Sequence, residues 1–216
     1  MADETTDPRR LQMVNAQLRT SDINDLDILA AFEKVPREKF VRRGQESLAY
    51  ADGEAPAWGP KGRNLLSPRA LGLLLKTAAP KSGERALTVG AGSGYAAALL
   101  AELGLSVVAL ESDATAARAA TQDYPQIEHV EGPLDHPPPL KGRFDVIVIN
   151  GAFETPPDAL VAALADNGRL VGVDARSGAK RVALFERSGE GVSERTLYDA
   201  CADVLPGLAS APAFAF

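Results

Sequence analysis

Thr88-Val89-Gly90-Ala91-Gly92-Ser93-Gly94-Tyr95 stands where an apolar run that reads as a strand, Arg85 to Val89, meets a helical stretch, Ala96 to Leu103. That context makes a glycine-rich turn informative. Glycine lets the backbone turn tightly and approach a ligand, and amides that open a helix favour a negative group. Glu111 ends the next predicted strand, Ser106 to Leu110, about 20 residues beyond Gly90, the spacing of an acid that accepts hydrogen bonds from ribose hydroxyls. Together they point to a nucleotide-like ligand. The dinucleotide pattern G-x-G-x-x-G would need a third glycine where Tyr95 stands, so a pyrophosphate fits less well.

Outward from this turn the pattern alternates. Ile127 to Val130, Phe144 to Ile149 and Arg169 to Val173 read as further short strands, with helices at Ala114 to Gln122 and Pro157 to Leu164. Such a βαβ series predicts an α/β fold, a doubly wound, mainly parallel Rossmann-like sheet covered on both faces. Arg181 to Phe185 and Glu194 to Tyr198 are expected to close it. On the other side, Leu11, Val14 and Leu18 mark a first helix; Asp25 caps a second that Pro36 ends, and Ser67-Pro68 begin a third that Pro80 stops. Between the last two, Val41 to Gly62 reads as a long loop punctuated by Gly53, Pro56, Gly59, Pro60 and Gly62, of the kind that carries a site.

Length and composition bound the rest. A chain of 216 residues with 45% hydrophobic and 24% charged residues is near globular averages and predicts one domain, 1–216, with N-terminal helices and a loop in 1–80 and the sheet in 81–216. The one cysteine, Cys201, suits a reducing compartment, and Met1-Ala2-Asp3-Glu4 lacks the basic and apolar start of a secretory signal, so a cytoplasmic protein without membrane association is expected. A net charge of -6 disfavours nucleic acid. His129 and His136 lie at no metal-ligand spacing, so no metal is expected. Oligomeric state is not legible.

The G-x-G-x-G spacing is similar to the first motif of class I methyltransferases. Gln17-Leu18-Arg19, Val35-Pro36-Arg37-Glu38, Phe40-Val41, Ala49-Tyr50-Ala51-Asp52, Ser67-Pro68, Phe144-Asp145, Glu154-Thr155-Pro156 and Gly168-Arg169-Leu170-Val171 resemble protein-L-isoaspartate O-methyltransferases over about residues 11 to 175. Val204-Leu205-Pro206 is a thinner likeness to that family's closing motif. The resemblance implies S-adenosylmethionine as cofactor, S-adenosylhomocysteine as its product, and a protein or peptide acceptor carrying an isoaspartyl residue. It also implies cofactor contacts from Thr88, Gly90, Ala91, Gly92, Ser93, Gly94, Tyr95, Glu111, Ser112, Pro133, Leu134 and Asn150, with the acceptor on the Trp58 to Ser67 loop. Tyr95 is equally readable as a helix-packing residue, and Trp58 and Tyr50 as anchors of the loop. Spatially, amides 90 to 94 are expected to cradle the amino-acid moiety while Glu111 grips the sugar, which requires an open crevice.

Three positions depart from the family. Aligned on Pro68, the family's serine falls on Leu66, leaving Ser67 as the remaining candidate catalytic hydroxyl. Thr88 replaces the acid expected two residues before the first glycine, and Pro133 offers neither carboxylate nor N–H where the family carries an acid beside adenine. These losses motivate a rival reading: a degenerate paralogue that keeps the fold as a ligand-sensing or protein-binding module. Asn150-Gly151-Ala152-Phe153 lacks the two prolines of amino-group methyltransferases of nucleic acids, which disfavours that class.

Overall fold

The computed structural model describes residues 7–210; the Met1 to Glu4 start and the end of the Ala-rich tail lie outside the described residues. Asp7 caps α1 (Pro8–Met13), its carboxylate accepting from the Arg9 amide. The helix then continues as a π-helical turn, Val14–Leu18, and a 3-10 turn, Arg19–Ser21. Val14 and Leu18 are buried, whereas Leu11 is exposed, so the apolar stripe starts later than the spacing predicts. Asp25 caps α2 (Leu26–Lys34) by accepting from the amides of Asp27 and Ile28, and Val35 turns to extended geometry before Pro36.

The long loop is more ordered than its composition suggests. β1 (Ala55–Pro56) and β2 (Asn64–Leu65) pair antiparallel, Ala55 with Leu65 and Pro56 with Asn64. Two residues a side are too few to show alternation, which is why this hairpin does not register as strand. Its body is tied to the preceding segment by Trp58 N donating to Phe40 O and Arg42 N to Pro56 O. Ser67 then caps α3 (Pro68–Ala78), accepting from the Ala70 amide at 3.1 Å, and Ala79 ends it in left-handed geometry ahead of Pro80.

Successive residues of a strand point to opposite faces, and this divides the core. β3 (Arg85–Val89), β4 (Ser106–Glu111), β5 (Ile127–Glu131), β6 (Phe144–Phe153), β7 (Leu164–Asp174), β8 (Arg181–Ser188) and β9 (Gly191–Asp199) form one sheet in the order β5-β4-β3-β6-β7-β8-β9. The pairs from β5 to β7 are parallel and the last two antiparallel. Ala86, Val107, Ala109, Val146 and Val148 face a cluster with α2, α3 and α4 (Tyr95–Glu102), while Leu87, Val89, Leu110, Ile147 and Ile149 face the other side. Of the two remaining helices, α5 (Thr115–Ala120) follows β4 and α6 (Asp158–Ala162) follows β6.

The second face is covered differently from the helical layer the alternation predicts. From a helix, Leu160 is buried in that cluster and Val161 packs against it, both from the short α6; Leu134, Leu205 and Leu208 complete it from irregular segments. The predicted helix Pro157 to Leu164 is correspondingly short, and β7 begins at Leu164 through an irregular register, where Asp166-Asn167-Gly168 reads as a turn. The segment 203–208 straps the end of β6: Ala152 bridges to Val204, Leu205 N donates to Ala152 O, and Glu154 N to Leu208 O. Among the described residues no helix is long and apolar enough to cross a membrane.

Candidate functional site

The strand order reverses between β3 and β6, and in open α/β sheets a ligand crevice forms beyond the carboxyl ends of the strands at such a point. The glycine turn lies there. Gly90, Gly92 and Gly94 all have positive φ, and at Gly94 (φ +93°) an added Cβ would stand 2.6 Å from Thr121 Cγ2. At Gly94 a side chain is thus disfavoured on both conformational and steric grounds, and at Gly92 on conformational grounds. Glu111, at the end of β4, is fully buried, and its carboxylate faces the turn: Gly92 N donates to Oε2 at 2.8 Å, and Ser112 N and Oγ donate to Oε1 at 2.8 and 2.9 Å.

The crevice itself is filled. Arg63, carried by the hairpin and only 7% exposed, donates from Nε to Glu111 Oε2 at 3.1 Å and from Nη2 to Oε1 at 2.8 Å, a two-point grip on both carboxylate oxygens. Burial pushes the Glu111 carboxyl upward, but the Arg63 hydrogen bonds and charge, with the two backbone amides, outweigh it and hold the group below its ordinary range. From the other side Leu205 covers the turn, its methyls lying 2.7 Å from where a Cβ on Gly90 would be and 2.6 Å from that on Gly151. What is left is a cavity of about 20 Å³ lined by Glu54, Arg63, Asn64, Leu66, Asn150 and Leu205. That holds about one water, against the roughly 300 Å³ or more of a small-molecule site.

The other residues singled out in the sequence divide between this place and others. Asn150 Nδ2 donates to Gly90 O at 3.0 Å and braces the turn. The turn amides are bonded within the chain, Gly90 and Ala91 to Leu110 O and Gly94 to Ala91 O, so they do not present the open cradle expected of them. The reason is geometric: the left-handed glycines bring the start of the turn against the Leu110 carbonyl of β4 and fold Gly94 back onto the turn's own Ala91 carbonyl. Ser93 Oγ donates to Phe40 O, and Tyr95 is turned into the core against Phe32, Phe40 and Arg37, the packing role that was its other reading. Thr88 is fully buried and its hydroxyl has no partner among the described residues. Pro133 is exposed, and Leu134 belongs to the second apolar cluster.

On the acceptor side, Leu66 is buried, and Arg37, fully buried, donates from Nη2 to Leu66 O at 2.8 Å and from Nε to Ala49 O at 2.6 Å. Ser67 does not line the small cavity beside Glu111. It faces a separate cleft of about 580 Å³ with Arg69, Lys180 and Cys201, and its oxygen caps α3. Trp58 packs under the Arg43 guanidinium, and Tyr50 hydrogen-bonds with Arg10 and Glu38, the anchoring role considered for both. Among the described residues no group of three or more His, Cys, Asp or Glu could hold a metal ion. Arg63 was not foreseen, because nothing local to a glycine-rich loop says which acid its one buried guanidinium will meet.

Residues 9–204 match the family described as protein-L-isoaspartate(D-aspartate) O-methyltransferase. The protein-L-isoaspartate O-methyltransferase of Methylorubrum populi is 36% identical, over 77% of this chain and 79% of its own length. That of Methanoculleus marisnigri is 34% identical, over 83% and 84%. Among solved structures, a protein-L-isoaspartate O-methyltransferase superposes with a TM-score of 0.80 at 20% identity, over 93% of this chain and 67% of that one. A Plasmodium falciparum beta-aspartate methyltransferase in complex with S-adenosyl-L-homocysteine gives 0.76 at 20% identity, over 92% and 99%. The two structures establish the fold.

Proposed function

Because the chain belongs to the protein-L-isoaspartate(D-aspartate) O-methyltransferase family, we propose that it transfers a methyl group from S-adenosylmethionine to the side-chain carboxylate of an isoaspartyl residue in a protein or peptide. The observation that carries this is the Glu111 carboxylate, buried at the switch point and aimed at a side-chain-free glycine turn. Glu111 is the acceptor the cofactor's sugar hydroxyls need, at the place that Arg63 and Leu205 fill in this structure. When bound, the cofactor supplies an electrophilic methyl on a sulfonium.

The chain's own part is positioning. An acceptor carboxylate, with a pKa near 4, is already ionised at neutral pH, so no general base is required of the protein. Rate must come from holding the two reactants together and excluding water. Arg37, by fixing the carbonyls of Ala49 and Leu66, sets the course of the acceptor loop; Leu66 contributes an apolar wall and no hydrogen bond of its side chain. The same reading makes the chain one domain working in a reducing cytoplasm, in keeping with its single exposed, unpaired cysteine.

A second reading, a non-catalytic member, is favoured by one observation, the filled crevice, in a chain that also has Leu66, Thr88 and Pro133. Methyl transfer to an isoaspartyl peptide from labelled S-adenosylmethionine separates the two. Transfer that saturates with peptide is expected; counts no higher than a no-enzyme control at millimolar cofactor would leave only the second reading.

A further inference from the structure

We propose that Arg63 is an internal competitor for the sugar site, so that the hairpin carrying it is a latch: either the guanidinium or a nucleoside occupies Glu111, never both. The inference rests on the reading of Glu111 as the ribose acceptor. Its chemical basis is the form of the contact. Nε and Nη2 present two adjacent donors, one to each carboxylate oxygen, at 3.1 and 2.8 Å. A vicinal diol makes the same demand on the same two oxygens. Gly92 and Ser112 already supply the other donors to Glu111, so with Arg63 in place both carboxylate oxygens are engaged. The residual cavity of about 20 Å³ cannot take a nucleoside beside the guanidinium.

The element that carries Arg63 is built to leave without disturbing the sheet. Residues 57–65 belong to a two-stranded hairpin of two residues a side, separate from the seven-stranded sheet. Its tip lies over the glycine turn, a Cβ on Gly59 standing 2.9 Å from Ala116 Cβ and 3.6 Å from Gly92 O. Gly59 (φ +126°) and Gly62 (φ +80°) sit in conformations that side chains rarely adopt, and Gly62 has open space where a Cβ would be. Both glycines precede Arg63 and flank Pro60-Lys61, so they free the tip of the hairpin to turn just ahead of the guanidinium it carries. The hairpin's polar ties to the rest of the protein, besides the Arg63 pair, are Asn64 Nδ2 donating to Asp203 Oδ2 at 2.8 Å, Trp58 N to Phe40 O at 3.1 Å and, at its stem, Arg42 N to Pro56 O at 2.8 Å; none of them belongs to the seven-stranded sheet.

A ligand whose competent state is only a minor population binds more weakly by that fraction, so a latch closed in about 99 of 100 molecules lowers apparent affinity about a hundredfold. Calorimetric titration of the full chain with S-adenosylhomocysteine, comparing wild type with Arg63→Gln and Arg63→Ala, tests this. Gln keeps a donor toward Glu111 and guards against loss of folding in the alanine variant. The expected result is binding at least about tenfold tighter in both variants than in wild type. Hydrogen exchange without ligand should show amides 57–65 less protected in the variants, with β3 and β4 unchanged. Equal, measurable affinity in all three proteins overturns the latch and leaves the methyltransferase reading standing. No binding to any of them, with each shown to be folded, overturns both.

Discussion

Glu111→Gln should be among the most destabilising single changes in this protein. The carboxylate is fully buried and accepts five hydrogen bonds: Arg63 Nη2, Ser112 N and Ser112 Oγ at Oε1, and Arg63 Nε and Gly92 N at Oε2. A glutamine has the same shape but one acceptor. Whichever way its amide is turned, its NH₂ faces two or three donors and the Arg63 cation is left buried without a counter-charge. Breaking a buried pair by removing one partner costs about 3 to 5 kcal/mol. For a domain of this size that lowers Tm by roughly 6 to 20 °C. Urea or thermal unfolding at pH 7 reads it directly. The pH dependence has a definite sign: a carboxyl held below its ordinary range stabilises the fold above its unfolded pKa, and that contribution is lost as pH falls through the depressed folded value. The variant should lack this acid-side component. A loss under about 1 kcal/mol, with an unchanged acid limb, would mean that the pair sits in water and that the crevice is open.

Gly94→Ala places a Cβ at positive φ and 2.6 Å from Thr121 Cγ2, and should cost about 2 kcal/mol or more, seen as a lower urea midpoint with unchanged slope. Ser67→Ala removes the α3 cap and should cost about 1 kcal/mol in the same experiment, with methyl transfer to an isoaspartyl peptide unaltered because Ser67 faces away from the Glu111 crevice. Leu205→Ala deletes the side chain that covers Gly90 and Gly151; about 2 to 5 kcal/mol should be lost, and the cavity beside Glu111 should enlarge in a crystal structure of the variant.

What the amino-acid sequence makes legible is local. Asp25 and Ser67 cap the helices they precede, because a short polar side chain before an apolar period has one structural use. The strands from β3 to β6 and the convergence of Gly92 with Glu111 follow from spacing, since a strand, a turn and a helix of ordinary length bring the ends of β3 and β4 together. Arg63 and Leu205 were not legible in the same way. Each meets its partner across a separation that no periodicity records, Arg63 from a glycine-rich hairpin and Leu205 from a strap that holds β6 through backbone bonds to Ala152. The early start of β7 at Leu164 escaped notice because Asp166-Asn167-Gly168 carries turn chemistry inside a strand with an irregular register.

The departures at Leu66, Thr88 and Pro133 and the presence of Arg63 bear on one quantity, the affinity of the switch-point crevice for a nucleoside. The first three remove polar groups from around the crevice; the fourth supplies a competitor to the acid that remains. If opening requires breaking the Arg63 to Glu111 pair at about 3 to 5 kcal/mol, affinity falls by roughly two to four orders of magnitude relative to an open crevice. A site that would bind at micromolar concentration when open would then bind near millimolar when closed. Binding in that regime would be governed by whatever holds the hairpin away from Glu111. If a protein acceptor sits on the Trp58 to Ser67 loop, it would touch the element that must move, and acceptor and cofactor would then assist each other's binding, as linkage requires of two ligands that favour one state. That coupling would be absent in Arg63→Ala, where nothing is left for the acceptor to displace.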